Sequence, residues 1–336
     1  MLLLDIRNLT IELKTPEGSI RAVDKVNFSL KEGEVRGLVG ESGSGKSLIA
    51  KAIVGVLNQR WDVTADRLHW QGEDLMHLTP EKRREIISRD VAMIYQEPSR
   101  CLDPTALVGE QLEEAIPVSD GECSYLGRKA YRKKKTEALL HKVGIKNHVE
   151  VIRSYPHELS EGVCQKIMIA IAIAKKPKLL IADEPTTALE SATQAQIFRL
   201  LKSLNQLKNM SIILISHDLE TITSWTHSIS VLYCGQLVES GTTEQIFNQP
   251  FHPYTQALIK SVPDFRKNIE HKSRLYTLKG TIPTLQHLPI GCRLGPRCPQ
   301  AQKTCVETPS MRKIQNHYVS CHFPLNQNIV SKKKVK

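Results

Sequence analysis

The chain predicts an α/β fold of buried strands alternating with amphipathic helices, and two observations carry that prediction. A glycine-rich loop, GESGSGKS at Gly40 to Ser47, is preceded by the apolar run VRGLV and followed by SLIAKAIVGVL. Farther on, LLIADEPTTALE carries an apolar run, Leu179 to Ala182, into two adjacent acids, Asp183 and Glu184.

VRGLV reads as a buried strand and SLIAKAIVGVL as a helix with one apolar face. The loop between them fits G-x-x-x-x-G-K-[ST], a phosphate cradle that requires this strand, loop, helix order. Gly40, Gly43 and Gly45 permit backbone angles closed to other residues, and with Glu41, Ser42 and Ser44 they can aim successive N–H groups at phosphate oxygens. The helix N-terminus adds its partial positive charge. Lys46 is expected to reach the β- and γ-phosphates of ATP, and Ser47 to offer its hydroxyl to Mg²⁺.

LLIAD continues the pattern as a buried strand with carboxylates at its tip. Asp183 suits Mg²⁺, directly or through water, and Glu184 suits orienting or deprotonating an attacking water. Between about 98 and 160 the segments GEQLEEAI and KKKTEALLHKVGI make the chain rich in helix. At its end stand Leu159, Ser160, Glu161, Gly162 and Val163, with Ser160 placed to cap the apolar helix that follows and to form an anion site with the next amides.

GESGSGKS, LSEG and LLIADEP in this order resemble the ATP-binding cassette (ABC) family. The resemblance implies a P-loop NTPase with a RecA-like core, an antiparallel β subdomain and a helical subdomain, hydrolysing ATP with Mg²⁺. It makes Gln96 in MIYQEP the Q-loop glutamine, a contact for Mg²⁺ or the attacking water, and His217 in LISHD the γ-phosphate switch. It also makes Ser160 and Gly162 contacts for ATP held by a partner subunit.

Three departures stand beside these matches. The signature reads LSEGV where the family has LSGGQ, so Glu161 sets a carboxylate near the partner's γ-phosphate, weakening binding there unless the side chain turns away. The D-loop reads Ala188, Leu189, Glu190 instead of ALD. The usual adenine-stacking aromatic is replaced by the region of Ile20 and Arg21, whose guanidinium plane is the nearest substitute. These departures suggest pairing with a different ATPase and unequal composite sites.

The last hundred residues narrow the resemblance. HPYTQALIKSVP, GTIPTLQHLPIGCRLGPRCPQAQKTC and SCHFP resemble the C-terminal extension of the oligopeptide, dipeptide and nickel uptake ATPases. The expected division is therefore residues 1–250 for the ATPase domain, with a helical subdomain at about 98–160, and 251–336 for a small cysteine-rich extension with a basic tail. Four of the eight cysteines lie there, Cys292, Cys298, Cys305 and Cys321, spaced C-x5-C-x6-C-x15-C. No C-x2-C pair appears, unlike most structural zinc sites. In the resembling family this pattern ligates a [4Fe–4S] cluster, with zinc the runner-up; the expected role is structural. Cys101, Cys123, Cys164 and Cys234 are expected to be buried thiols.

The longest apolar run, IMIAIAIA, is far shorter than the roughly twenty residues a bilayer requires, and no signal peptide is visible. Membrane association is therefore expected through partners. The resemblance implies two integral-membrane permeases, a second and different ABC ATPase and, indirectly, a periplasmic binding protein, with this chain on the cytoplasmic face of a bacterial inner membrane. The cargo it implies is peptides, cationic and antimicrobial ones in the nearest subgroup, with polyamine export as an alternative.

The formal charge of +11 leaves open anionic lipid, nucleic acid or plain solvation for the basic clusters at Arg128 to Lys135 and Lys332 to Lys336. A soluble ABC ATPase acting on nucleic acid is the other alternative. Aromatic content of 5%, with no basic and aromatic interleaving, gives no support for base stacking, and no nucleic acid is expected.

Overall fold

A computed structural model describes residues 1–117, 127–187, 189–261 and 277–326. The chain forms two compact units, Met1–His77 with Leu214–Lys336, and Leu78–Ile213.

In the first unit, β1 (Leu2–Thr15) and β2 (Gly18–Lys31) form a long antiparallel hairpin with Ile11 opposite Val23. The alternation LTIEL turns Leu9 and Ile11 inward, and both are fully buried. Bulges between Leu2 and Leu4, and again between Ile6 and Glu12, bend the strand. β4 (Trp61–Thr64) and β5 (Arg67–Trp70) pair with different stretches of β1, and β6 (Glu73–Asp74) extends β5.

A second sheet in this unit is built around β3 (Val35–Val39), the VRGLV run, which lies parallel to β10 (Ser228–Tyr233) with Ile229 opposite Gly37. All six residues of β10 are buried, as a strand covered on both faces requires. β11 (Gln236–Thr242) returns antiparallel, and the tail adds β13 (His317–Val319) and β12 (Arg312–Ile314) outside it. The helices here are α1 (Lys46–Val54), α9 (Leu219–Thr223), α10 (Thr243–Asn248) and α11 (Pro253–Lys260). α1 stops at Gly55, whose left-handed backbone closes the last turn. The helical run therefore excludes the Val-Leu that follows.

The second unit carries β7 (Val91–Ile94) parallel to β8 (Leu179–Asp183), with Ile94 opposite Ala182. Every residue of β8 is buried. β9 (Ser211–Ser216) begins in this unit and ends in the first. α2 (Pro80–Asp90) starts on Thr79, whose hydroxyl accepts from the Lys82 amide, with proline at the first helical position. Then follow α3 (Pro98–Cys101), α4 (Val108–Ala115), α5 (Arg128–Lys142), α6 (His148–Ile152), α7 (Glu161–Ala174) and α8 (Ser191–Lys208). α7 is the apolar hub: α3, α4 and α5 pack on it, and Cys164, Ile167, Ile169 and Ala170 are fully buried.

Among the described residues no helix is long and apolar enough to cross a membrane.

Candidate functional site

In the first unit the phosphate loop leaves β3 at Gly40. A Cβ there would lie 2.1 Å from the Leu232 carbonyl oxygen, so only glycine lets the loop pass so close to β10. Gly45 caps α1 and Lys46 opens it. The Lys46 side chain is buried, and its ammonium donates to the carbonyls of Gly40 at 2.7 Å and Glu41 at 3.0 Å. Its charge is thus held within the loop, where the α1 dipole also favours an anion. Ser47 follows in the first turn, half-buried, while Ser42 and Gly43 form the exposed crest and Ser44 is buried. His217 comes directly after β9, and the Asp218 amide donates to Ser216 Oγ at 2.9 Å.

In the second unit the parallel register explains how two acids and a distant glutamine come together. Ile94 faces Ala182, so two residues on Gln96 meets Glu184. Gln96 Nε2 donates to Glu184 Oε2 at 3.2 Å, and Thr187 Oγ1 donates to the same oxygen at 2.9 Å. Asp183, just before, is buried at the strand end. Glu184 itself stands at φ 47°, a left-handed conformation that costs a non-glycine residue on the order of 1 kcal/mol and tends to occur where a side chain must be aimed.

Ser160 is the N-cap of α7, and its hydroxyl makes no capping bond. Glu161 turns aside: its Oε1 accepts from Ser99 Oγ at 2.7 Å. Gly162 gives α8 room, since a Cβ there would come within 2.9 Å of Thr193 Cγ2. In the D-loop, Ala188 lies outside the described residues, and Glu190 stands at the N-terminus of α8.

Arg21 is not free to lie on a base in this arrangement. Its guanidinium bridges Glu12 at 2.8 Å and Asp24 at 3.3 Å.

The four tail cysteines converge. Cys292, Cys298, Cys305 and Cys321 line one cavity in the first unit together with His252 and His322. The tail is folded back on itself here, with the Cys292 amide donating to the Cys305 carbonyl at 2.9 Å. Burial raises the Cys292 and Cys298 thiols and pushes Cys321 up to about 11, with neighbouring cysteines adding to each rise. Thiols crowded in this way resist ionising unless a cation is among them. Among the described residues no three His, Cys, Asp or Glu side chains meet as ligands of one ion; what the four cysteines share is the lining of one cavity.

Of the other cysteines, Cys164 and Cys234 are buried, whereas Cys101 is exposed. The expectation of a buried thiol fails at Cys101, the last residue of the single turn α3, in which Pro98 is the buried residue; the Cys101 sulfur donates to the Gln96 carbonyl at 3.7 Å. Cys123 and the basic run Lys332 to Lys336 lie outside the described residues. In α5, Lys133, Lys134 and Lys135 are exposed.

Sequence reasoning did not single out Ser99, Thr187, Tyr254 or Arg297. Arg297 alone left a usable signal, as the second of two arginines enclosed between Cys292 and Cys298.

Residues 23–187 match the family described as ABC transporter, and residues 238–305 match the oligopeptide/dipeptide transporter C-terminal region, a match that ends at the third tail cysteine. The peptide transport system ATP-binding protein SapD of Salmonella typhimurium is 56% identical over 326 residues, covering 97% of this chain and 99% of the relative. SapD of Haemophilus influenzae is 52% identical, covering 97% and 93%. The dipeptide transport ATP-binding protein DppD of Escherichia coli K12 is 44% identical over 328 residues, covering 97% and 98%. Among solved structures, the dimeric bacterial ABC transporter cassette MJ0796 is similar with a TM-score of 0.63 at 26% identity, covering 71% of this chain and 98% of that one. The same cassette in a post-hydrolysis dimer bound to ADP and Pi gives 0.61 at 26% identity, again covering 71% and 98%.

Proposed function

This chain belongs to the oligopeptide/dipeptide family of ABC transporter ATP-binding proteins, and from that premise we propose that it is the ATP-hydrolysing subunit of a peptide transporter seated on a bacterial inner membrane. The observation that carries this reading is the Gln96, Glu184 and Thr187 cluster at the tip of β8, in a chain that aligns end to end with peptide transport ATP-binding proteins.

Gly40 to Ser47 bind the phosphates of ATP, with Lys46 supplying the charge and Ser47, Asp183 and Gln96 the oxygen ligands for Mg²⁺. Glu184 orients and deprotonates the attacking water. Gln96 and Thr187 hold its carboxylate so that little reorganisation is needed when water arrives. His217 contacts the γ-phosphate. Ser160 and Gly162 complete the site of a partner ATPase, in the kind of dimer the MJ0796 cassette forms. Two bound ATPs favour the closed dimer, and loss of γ-phosphate contacts on hydrolysis reopens it. With Glu161 held by Ser99, the altered signature leaves that composite site able to accept phosphate.

What supports a [4Fe–4S] cluster held by Cys292, Cys298, Cys305 and Cys321 is the family resemblance of their spacing, together with their lining one cavity. An all-thiolate donor set suits Fe–S chemistry, with zinc the runner-up. When bound, such a cluster supplies four metal–sulfur links that tie the tail together. Residues 251–336 then act as a stabilising extension of the ATPase domain.

The test is affinity purification of tagged Glu184→Gln protein from solubilised membranes in MgATP. Recovery of two polytopic permeases and a second ATPase is the expected result. A protein that stays unaccompanied, or that brings down nucleic acid, would overturn the reading.

A further inference from the structure

The segment between the first two tail cysteines, Cys292-Arg293-Leu294-Gly295-Pro296-Arg297-Cys298, sends both of its arginines to the phosphate loop and its immediate neighbours. Arg297, with 7% of its side chain exposed, grips Glu41 with two nitrogens: NH1 to Oε2 at 3.0 Å and NH2 to Oε1 at 3.3 Å. NH1 also donates to the Tyr233 hydroxyl at 3.2 Å. Tyr233 packs on Tyr254, with ring centres 4.7 Å apart, and the Tyr254 hydroxyl accepts the Glu41 amide at 2.8 Å. Glu41, second residue of the loop, is thus fixed through its side chain by Arg297 and through its backbone by Tyr254.

Arg293 works one step farther out. It pairs with Asp24 at 2.7 Å and donates to the Cys234 carbonyl. The next residue, Gly235, donates its amide to the Ser44 carbonyl at 2.9 Å and accepts from the Asp24 amide at 2.9 Å. The fifth residue of the loop is therefore held through the turn that Arg293 secures.

We infer that Arg297 is a positioning residue for nucleotide binding, fixing Glu41 so that the loop is already shaped for phosphate when ATP arrives. The inference rests on the reading of Gly40 to Ser47 as the ATP site. A two-nitrogen arginine–carboxylate grip is directional as well as strong, and a loop ordered in advance binds its ligand without the cost of ordering it. Burial opposes the Arg297 charge, but Glu41 and Tyr233 more than offset it, so the guanidinium stays charged. This makes the cysteine-rich tail part of the ATP site.

The experiment measures affinity for a fluorescent ATP analogue on the full chain, with thermal unfolding recorded for each variant. Lys46→Ala serves as the control and must lose binding; if it binds as wild type does, the ATP-site reading itself fails. Arg297→Met is expected to weaken binding about tenfold, the order expected for one charge-assisted contact. Arg297→Lys should recover part of the loss. Glu41→Gln breaks the same grip from the loop side, covering the case in which Arg297→Met does not fold, and should weaken binding similarly. The double variant should be no weaker than the worse single one. Unchanged affinity in folded Arg297→Met and Glu41→Gln proteins would overturn the inference, as would losses that add in the double variant.

Discussion

Glu239→Ala tests how the tail is held to the sheet. Glu239 lies in β11 with no solvent exposure. Its Oε1 accepts the Phe251 amide at 2.5 Å and its Oε2 accepts the His252 amide at 3.0 Å. His317 Nε2 in β13 comes within 2.8 Å of Oε1, at an angle short of a hydrogen bond. One carboxylate thus joins the sheet, the entry to α11 and the tail hairpin. Alanine leaves two buried main-chain donors without acceptors, at roughly 1–3 kcal/mol each. Relief of the carboxylate's own desolvation offsets part of this, so the net loss is expected at about 1–4 kcal/mol. Urea unfolding should show a lower midpoint, and hydrogen exchange should show the Phe251 and His252 amides losing protection. A shift under about 1 kcal/mol with both amides still protected would refute the reasoning.

His252 makes the same junction sensitive to pH. Complete burial pulls its imidazole down to about 4, with Glu239 opposing the shift, while the Tyr254 amide donates to its Nδ1 at 3.2 Å. The unfolded chain takes up a proton near 6.5 and the folded one does not. Stability from this group is therefore complete above 6.5 and declines as pH falls towards 4, by roughly 3 kcal/mol in all; unfolding midpoints at pH 7.5 and 5 should differ less in His252→Asn. Ser99→Ala releases the Glu161 carboxylate, and loss of about 1 kcal/mol of restraint should raise the KM for ATP in the assembled transporter roughly fivefold. Adding Glu161→Gly should restore it. Protein purified without oxygen should carry about four irons and four sulfides, and Cys321→Ser should lower both and reduce the unfolding temperature.

The sequence made β8 legible because burial on both faces writes itself as an unbroken apolar run, and LLIAD forms that strand. The glycine-rich loop at Gly40 to Ser47 was legible because its glycines answer to backbone constraints, as Gly40 against Leu232 illustrates. Contacts between distant polar side chains leave no such pattern. Arg297 and Glu41 are 256 residues apart, and Ser99 and Glu161 are 62 apart, so nothing local in either partner announces the other. The exposure of Cys101 escaped for a related reason: a single turn such as α3 has too little periodicity to show which side faces water.

The central claim, that this chain hydrolyses ATP to drive a membrane assembly, is tested most directly by ATP turnover of the assembly purified with its membrane partners. With Glu184→Gln in this chain alone, turnover should fall by at least about a hundredfold at the site it serves, the scale of a lost general base, while ATP is still bound. Turnover at the wild-type rate with the same bound ATP would contradict the account.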